Sequence, residues 1–318
     1  TFIIFSSVLA IIALLYFISV KQAKTICIIC TLIIIICLVF GTSVSFAFWD
    51  DDLQYEGESV YNYLQVKEDD QKVVLSTNVL FGVQSVKMKS DGLTGMYYDY
   101  ALAAPAMAAN EDGDGLDILI LGNGTGTFAA QCKKYFPGCT IDAVEIDKSI
   151  SELAGEYFGM PEDINLYEYD GRAFLEAIDK DYDVIQVDAY QDITIPFQMS
   201  SKEFFTLVKE HLKDGGVMNV NMNMHSDGKE SINQYLTETI MDVFGSAYSV
   251  DVKGNTNREL FAGKDLDIKE QLISYRTDNL ELSKNNRKIY RELEPCEGGS
   301  HILTDDKAPV EVLGMKMI

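Results

Sequence analysis

Residues 116–131, LDILILGNGTGTFAAQ, constrain this chain more than any other stretch. An apolar run stops at Gly122-Asn-Gly124-Thr-Gly126, and a helix-like segment follows at once. Glycines let a backbone turn tightly and come close to a ligand, and the helix after them points its free amide groups at the same place. The plain alternative is a tight strand-to-helix turn that holds nothing. A glycine-rich loop alone does not decide between the two, so its meaning depends on the segments around it.

Downstream, the same alternation continues. Apolar strand candidates recur at 116–121, 140–145, 164–169, 183–188 and 215–221, with helical stretches between them at 126–136, 148–158, 172–179 and 200–212. Strands alternating with helices predict a parallel sheet covered on both faces, and ligands of such sheets sit beyond the carboxyl ends of the strands. Upstream, residues 59–89 alternate apolar and polar positions (VYNYLQVKE, KVVLSTN, VQSVKMK), with turn signals at 68–70 and 77–78. That period of two predicts a small antiparallel sheet. Residues 50–58 read as an acidic linker ahead of it.

The N-terminal part is of a different kind. Residues 1–49 carry only two charges, Lys21 and Lys24, while the remainder carries 24 basic and 49 acidic residues, a net of −25. So acidic a domain does not suit nucleic-acid binding through its general surface. Residues 3–20 form an uncharged run of about the length a bilayer core requires, and residues 25–49 form a longer one that ends in Trp49, an interface-type anchor. A signal peptide would have one shorter run and a cleavage site. The two runs are therefore expected to be transmembrane helices. Because the chain opens on Thr1, it is expected to be the end of a longer membrane protein. Cys27 and Cys30 have a redox or zinc spacing, but an Ile- and Leu-rich helix makes them packing residues. Cys132, Cys139, Cys296, His211, His225 and His301 show no metal spacing, and no metal site is assigned.

Three acids fall at successive strand ends. Glu145 closes DAVEID about 20 residues after the glycine loop, a position from which a carboxylate accepts hydrogen bonds from both hydroxyls of a ribose. Asp170, followed by Gly171, ends the third strand, where it can accept a bond from an adenine amino group or cap the next helix. Asp188 closes an apolar strand, where a carboxylate is costly unless used or paired. Together with Gly122, Gly124 and Gly126, these residues form an adenosyl-binding pattern of the class I methyltransferase type. A dinucleotide site fits less well, because the loop reads GxGxG. A P-loop is excluded, because no Gly-Lys-Ser/Thr follows.

From residue 59 to 225 the order and spacing of blocks resemble the spermidine synthase (polyamine aminopropyltransferase) family. The blocks are QSVKMKSDGLTGMYYDYALAAP, LILGNGTG, VEID, DGRAFL, YDVIQVDAY and SSKEFFTLVKEHLKDGGV. The hydrophobic start and residues 302–311, ILTDDKAPVE, resemble its membrane-fused branch. The resemblance implies a small β-sheet ahead of a Rossmann-like domain. It also implies transfer of an aminopropyl group from decarboxylated S-adenosylmethionine, a co-substrate rather than a tightly bound cofactor, to a small-molecule amine. Under it Glu145 would hold the ribose, Asp170 the adenine, Asp188 would accept the proton, and Gln84 would line the entrance. Departures cluster on the amine side. Thr125 stands where the family's loop carries an acid, Tyr97-Tyr98-Asp99 replaces Tyr-His-Glu, and Asp188-Ala-Tyr190-Gln191-Asp192 replaces Asp-x-x-Asp-Pro. Tyr98, Asp99, Thr125, Tyr190, Gln191 and Asp192 are accordingly the candidate substrate-binding residues.

These readings give an α/β chain in three parts: two transmembrane helices at 1–49, a linker and small β-sheet domain at 50–100, and a Rossmann-like catalytic domain at 101–318. The aminopropyltransferase reading stands beside two others, a methyltransferase using S-adenosylmethionine with another acceptor and a non-catalytic adenosyl sensor on a membrane protein. The multi-pass reading puts the catalytic domain in the cytoplasm. The supply of adenosyl donors and the unpaired Cys132, Cys139 and Cys296 outweigh the opposite vote of Lys21 and Lys24. It leaves room for a homodimer.

Overall fold

The computed structural model describes residues 2–19, 24–40, 51–78, 83–109, 115–189, 196–223 and 230–315, which fall into two compact units, Thr1–Glu56 and Gly57–Ile318. In the first unit, helices α1 (Phe2–Ser19) and α2 (Lys24–Phe40) pack on one another. The expectation of membrane spans does not hold. Among the described residues no helix is long and apolar enough to cross a membrane. α1 has 18 residues and α2 has 17. At 1.5 Å per residue these are about 27 and 26 Å, short of the about 30 Å of a bilayer's hydrocarbon core. The membrane as partner, the multi-pass localisation, the cytoplasmic placement built on it and the membrane-fused branch are withdrawn with the spans. Lys21 and Trp49 lie outside the described residues.

Strand β1 (Leu53–Glu58), within the stretch expected to be a linker, straddles the boundary of the two units. The second unit continues with β2 (Tyr63–Glu68), β3 (Lys72–Thr77) and β4 (Ser85–Met88), an antiparallel ladder with Val66 opposite Leu75 and Val74 opposite Val86. Two short helices, α3 (Tyr97–Ala101) and α4 (Ala103–Ala108), lead into the larger sheet. Its first part alternates as the sequence predicts: β5 (Asp117–Leu121), α5 (Thr127–Tyr135), β6 (Thr140–Glu145), α6 (Lys148–Tyr157), β7 (Asn165–Glu168), α7 (Gly171–Ala177), β8 (Tyr182–Val187), α8 (Lys202–Glu210) and β9 (Leu212–Asn223). The remainder is α9 (Ile232–Phe244), β10 (Tyr248–Asp251), β11 (Asn257–Gly263), α10 (Ile268–Ser274), α11 (Leu280–Glu292), β12 (Glu294–Pro295) and α12 (Val310–Met315). The strand order is β12-β10-β11-β9-β8-β5-β6-β7. β5 to β9 run parallel, and β10, β11 and β12 join antiparallel.

Period-two alternation sorts the central strands onto two cores. Ile118, Ile120, Ile141 and Val184 face Leu102, Met107 and Phe128, while Leu119, Leu121, Val144 and Ile185 face Phe204, Phe205, Leu236 and Ile240. β5 lies between β6 and β8, so the chain moves outward first to one side of β5 and then to the other. That reversal opens a crevice at the carboxyl ends of β5 and β8. The C-terminal segment that includes 302–311 is tied down by Asp305, which accepts both terminal nitrogens of Arg172 at 2.7 and 2.6 Å and the Ser201 hydroxyl at 2.5 Å.

Asp147 fastens the loop that enters β2 to the Rossmann-like sheet. It caps α6, accepting from Ser149 N at 3.0 Å. Its other oxygen accepts from the Ser59 hydroxyl at 2.5 Å and Asn62 Nδ2 at 2.9 Å. Asp147→Ala removes the cap, the buried contact to Asn62 and the half-buried one to Ser59. It should destabilise the protein by about 2–4 kcal/mol, read as a lower urea midpoint at unchanged slope.

Candidate active site

The glycine loop is shaped by what it must approach. Gly122 and Asn123 donate to Val144 O at 2.9 and 3.0 Å, and Asp188 N donates to Leu121 O at 2.9 Å, so the ends of β5, β6 and β8 are held in one plane. Gly122 has φ +93°, and a Cβ there would lie 2.5 Å from Asp188 O and 2.7 Å from its carbonyl carbon. Only glycine allows these two strand ends to come so close. Gly124 and Gly126 also have positive φ, +53° and +77°, and Gly126 is the residue before α5.

Beside this loop lies a cavity of about 350 Å³, whose lining includes Gly122, Gly124, Glu145, Asp170, Gly171 and Asp188. Glu145 is buried at the end of β6. One carboxylate oxygen accepts from Gly124 N at 2.8 Å and the other from Asp147 N at 3.0 Å. Burial raises its pKa while these two amides oppose the rise. Asp170 caps α7 by accepting from Ala173 N at 2.9 Å and also lines the cavity, so the two readings of this residue coexist. A Cβ on Gly171 would sit 3.1 Å from Met199 Cε, at the wall formed by the turn Phe197–Met199.

Asp188 lies where this cavity meets a second, more polar one of about 230 Å³, and Gln84, Ser85, Tyr97 and Tyr98 line both. Its carboxylate is gripped on each side. Tyr97 OH donates to Oδ2 and Asn221 Nδ2 donates to Oδ1, each at 2.8 Å. Burial pushes the Asp188 pKa up to about 7, against the lowering effect of these two donors and with a further upward push from Glu145. Tyr97 is held well above the ordinary tyrosine value by burial and by Asp188, so it stays a hydrogen-bond donor.

The other sequence candidates separate. Gln84 and Tyr98 are at the cavities, with the Tyr98 hydroxyl 3.3 Å from Ser85 Oγ. Asp99 is turned away: it accepts from Thr94 N, the Thr94 hydroxyl and Gly95 N at 2.7–2.8 Å and stabilises the turn before α3. Thr125 is buried, 3.1 Å from the Thr127 hydroxyl, which itself donates to Val86 O, so Thr125 is the donor of that pair. Neither Asp99 nor Thr125 lines a cavity described here. Tyr190, Gln191 and Asp192 lie outside the described residues. Sequence reasoning missed Tyr97, Asn221 and Asn257. The signal for Asn221 was present in MNVNMN, where asparagine recurs at every second position of an otherwise apolar strand.

A glycine loop at a switch point, with three acids at neighbouring strand ends, marks a Rossmann-like domain of the methyltransferase type. The spermine/spermidine synthase domain matches residues 98–250. A probable polyamine aminopropyl transferase of Bifidobacterium longum (strain NCC 2705) is 52% identical over 325 residues, covering 96% of this chain and 72% of the relative. A polyamine aminopropyltransferase of Oceanobacillus iheyensis is 28% identical over 264 residues, covering 76% of this chain and 50% of the relative. The chain belongs to the polyamine aminopropyltransferase (spermidine synthase) family. Two solved structures share the fold. One is a probable spermidine synthase from Corynebacterium glutamicum (TM-score 0.58, 19% identity, 82% of this chain and 93% of that one). The other is a spermidine synthase in complex with the transition-state analogue AdoDATO (TM-score 0.60, 17% identity, 76% and 84%).

Gly122→Ala should therefore be far costlier than Gly215→Ala. Gly215 also has positive φ, +79°, but open space around it. The left-handed backbone costs both variants about 1–2 kcal/mol, and only Gly122→Ala must also push Asp188 aside. A larger loss of melting temperature, with loss of nucleoside binding in calorimetry, is the expected result for Gly122→Ala alone.

Proposed function

We propose that this protein is a transferase that moves the aminopropyl group of decarboxylated S-adenosylmethionine to a small amine, with Asp188 as the proton acceptor. The observation that carries this reading is the charge of the crevice. Glu145, Asp170 and Asp188 line it, and no lysine, arginine or histidine is among its described lining residues. A cavity lined this way favours a cationic ligand such as a sulfonium nucleoside and disfavours a phosphate-bearing one.

In this reading Glu145 holds the ribose. Its two oxygens each serve one loop amide, and a carboxylate has about four lone-pair sites, so both oxygens can also accept a sugar hydroxyl. The loop and the ribose are then fixed by one side chain. Asp170, at the adjacent strand end, accepts from the adenine amino group while it caps α7. The apolar side chains of Ile146 and Met199 line the same cavity and suit the faces of a base.

The reaction needs little from the protein beyond orientation and a base. The amine nitrogen attacks the aminopropyl carbon bonded to sulfur, that carbon–sulfur bond breaks with its electron pair going to sulfur, and a neutral thioether carrying the adenosyl and methyl groups leaves. The nitrogen, now bonded to the transferred group, gives up a proton to Asp188. A carboxylate of pKa about 7 accepts it more readily than one near 4. The polar cavity on the far side of Asp188 offers the amine a place beside the base.

Two sets of variants test this. Glu145→Ala and Asp170→Ala should each weaken nucleoside binding in calorimetry by about tenfold or more, with the domain still folded. Unchanged affinity in both would remove the adenosyl assignment. Asp188→Asn keeps the shape and loses the base. It should leave nucleoside affinity intact and lower kcat by about 10²–10⁴. In the wild type, kcat/KM should fall as pH drops through about 7, because protonated Asp188 cannot accept. That acid limb should vanish in Asp188→Asn, while the limb set by the amine's own ionisation stays. Turnover of Asp188→Asn at the wild-type rate would make Asp188 structural. Supplying S-adenosylmethionine in place of the decarboxylated donor separates aminopropyl from methyl transfer.

A further inference from the structure

Asp188 is held by a chain of amides that reaches across two strands of the sheet. Asn221, on β9, is buried and gives its Nδ2 to Asp188 Oδ1 at 2.8 Å. Its own Oδ1 accepts from Asn257 Nδ2 at 2.9 Å. Asn257 begins β11, where it pairs with Asn223 of β9, and the two strands continue in antiparallel register to Gly263 opposite Val217. Asn221 and Asn257 are thus placed by a seven-residue ladder rather than by a loop, and both face the second cavity beside Asp188.

The chemistry fixes the direction of every bond in this chain. An ionised carboxylate only accepts, so Asn221 must turn its NH₂ toward Asp188. Its carbonyl oxygen then faces Asn257, which must donate. Among the described residues Asn257 is the hydrogen-bond donor to the Asn221 oxygen, so without it only the carboxylate itself orients that amide.

We infer that Asn257 is a positioning residue for the reaction: it locks the Asn221 amide so that the NH₂ always faces Asp188. The inference rests on Asp188 being the proton acceptor. The lock acts against burial and against the charge of Glu145. Glu145 at the end of β6 raises the proton affinity of Asp188, and the buried Glu259 of β11, whose own pKa burial lifts well above the carboxylate range, senses the Asp188 charge. From α3, Tyr97 donates to the second oxygen, and Tyr98 stands beside it. The amide chain on one side and the Tyr97 hydroxyl on the other are what offset the burial.

The test is the pH profile of kcat/KM, whose acid limb reports the ionisation of the base in the free enzyme. Asn257→Asp has the same shape but accepts where a donor is needed, and Asn257→Ala is neutral and leaves a gap. The limb should move to higher pH, by about half a unit or more in Asn257→Ala and further in Asn257→Asp. Asn257→Gln, which restores an amide donor, should bring it back toward the wild-type position. Nucleoside affinity in calorimetry should stay within about twofold throughout, because Glu145 and Asp170 are untouched. A limb that keeps its wild-type position in Asn257→Ala and Asn257→Asp would overturn the inference, even if kcat fell at every pH. Should either variant not fold, Asn221→Ser, which shortens the donor, must move the limb in the same direction, and no movement there overturns it equally. Asp188→Asn separates the two levels. If the limb survives in that variant, the base assignment has failed. If it vanishes there but does not move in the 257 variants, only the role of Asn257 has failed.

Discussion

The site depends on a carboxylate taken out of water at the point where the sheet changes direction. Asp188 has to be desolvated to gain proton affinity, and a buried charge without partners is costly. Three features resolve that conflict. The missing side chain of Gly122 lets the end of β5 come up against the Asp188 backbone. Tyr97 and Asn221 each give the carboxylate one hydrogen bond. The result is a buried carboxylate with a hydrogen-bond donor on each of its oxygens.

The two cavities divide the labour around that group. The nucleoside side is built from parts the family resemblance names: the glycine loop, Glu145 and Asp170. The other side is built from a different set: Gln84, Ser85, Asn221, Asn255, Thr256 and Asn257, with Asp188 as its acid among the described lining residues. Of the residues that depart from the family pattern, Tyr98 lines this cavity, whereas Asp99 and Thr125 line neither cavity and residues 190–192 lie outside the described residues. Glu145 links the halves mechanically, since the side chain that reads the ribose in our proposal also holds Gly124 and the start of α6.

Substitutions that alter the Tyr97–Asp188–Asn221 geometry are not interchangeable with ones that alter the cavity walls. The walls change which ligand fits. The hydrogen bonds to Asp188 set how strongly its carboxylate holds a proton. Asp99 and Thr125 belong to neither group, because their hydrogen bonds are spent within the turns that position α3 and α5.

Much of this was legible in the order of residues alone. Strand-helix alternation from 116 to 221, the loop at 122–126 and the acids at 145, 170 and 188 are local patterns, and local patterns survive translation into structure because each depends on neighbours within one turn or one strand. The same reading erred at the N-terminus, where apolar composition suggested spans but no helix among the described residues is long and apolar enough to cross a membrane. It also passed over β10 and β11, although Gly254 and Asn255 mark a turn between two strand-like runs. What only the tertiary structure decided is which distant side chains meet. Tyr97 is 91 residues from Asp188, and Asn257 is 36 from Asn221, and no period or spacing connects them. Sheet order brings β8, β9 and β11 side by side. Hydrogen-bond partners across strands are set by register, which depends on how the whole sheet packs and not on any one segment of the sequence.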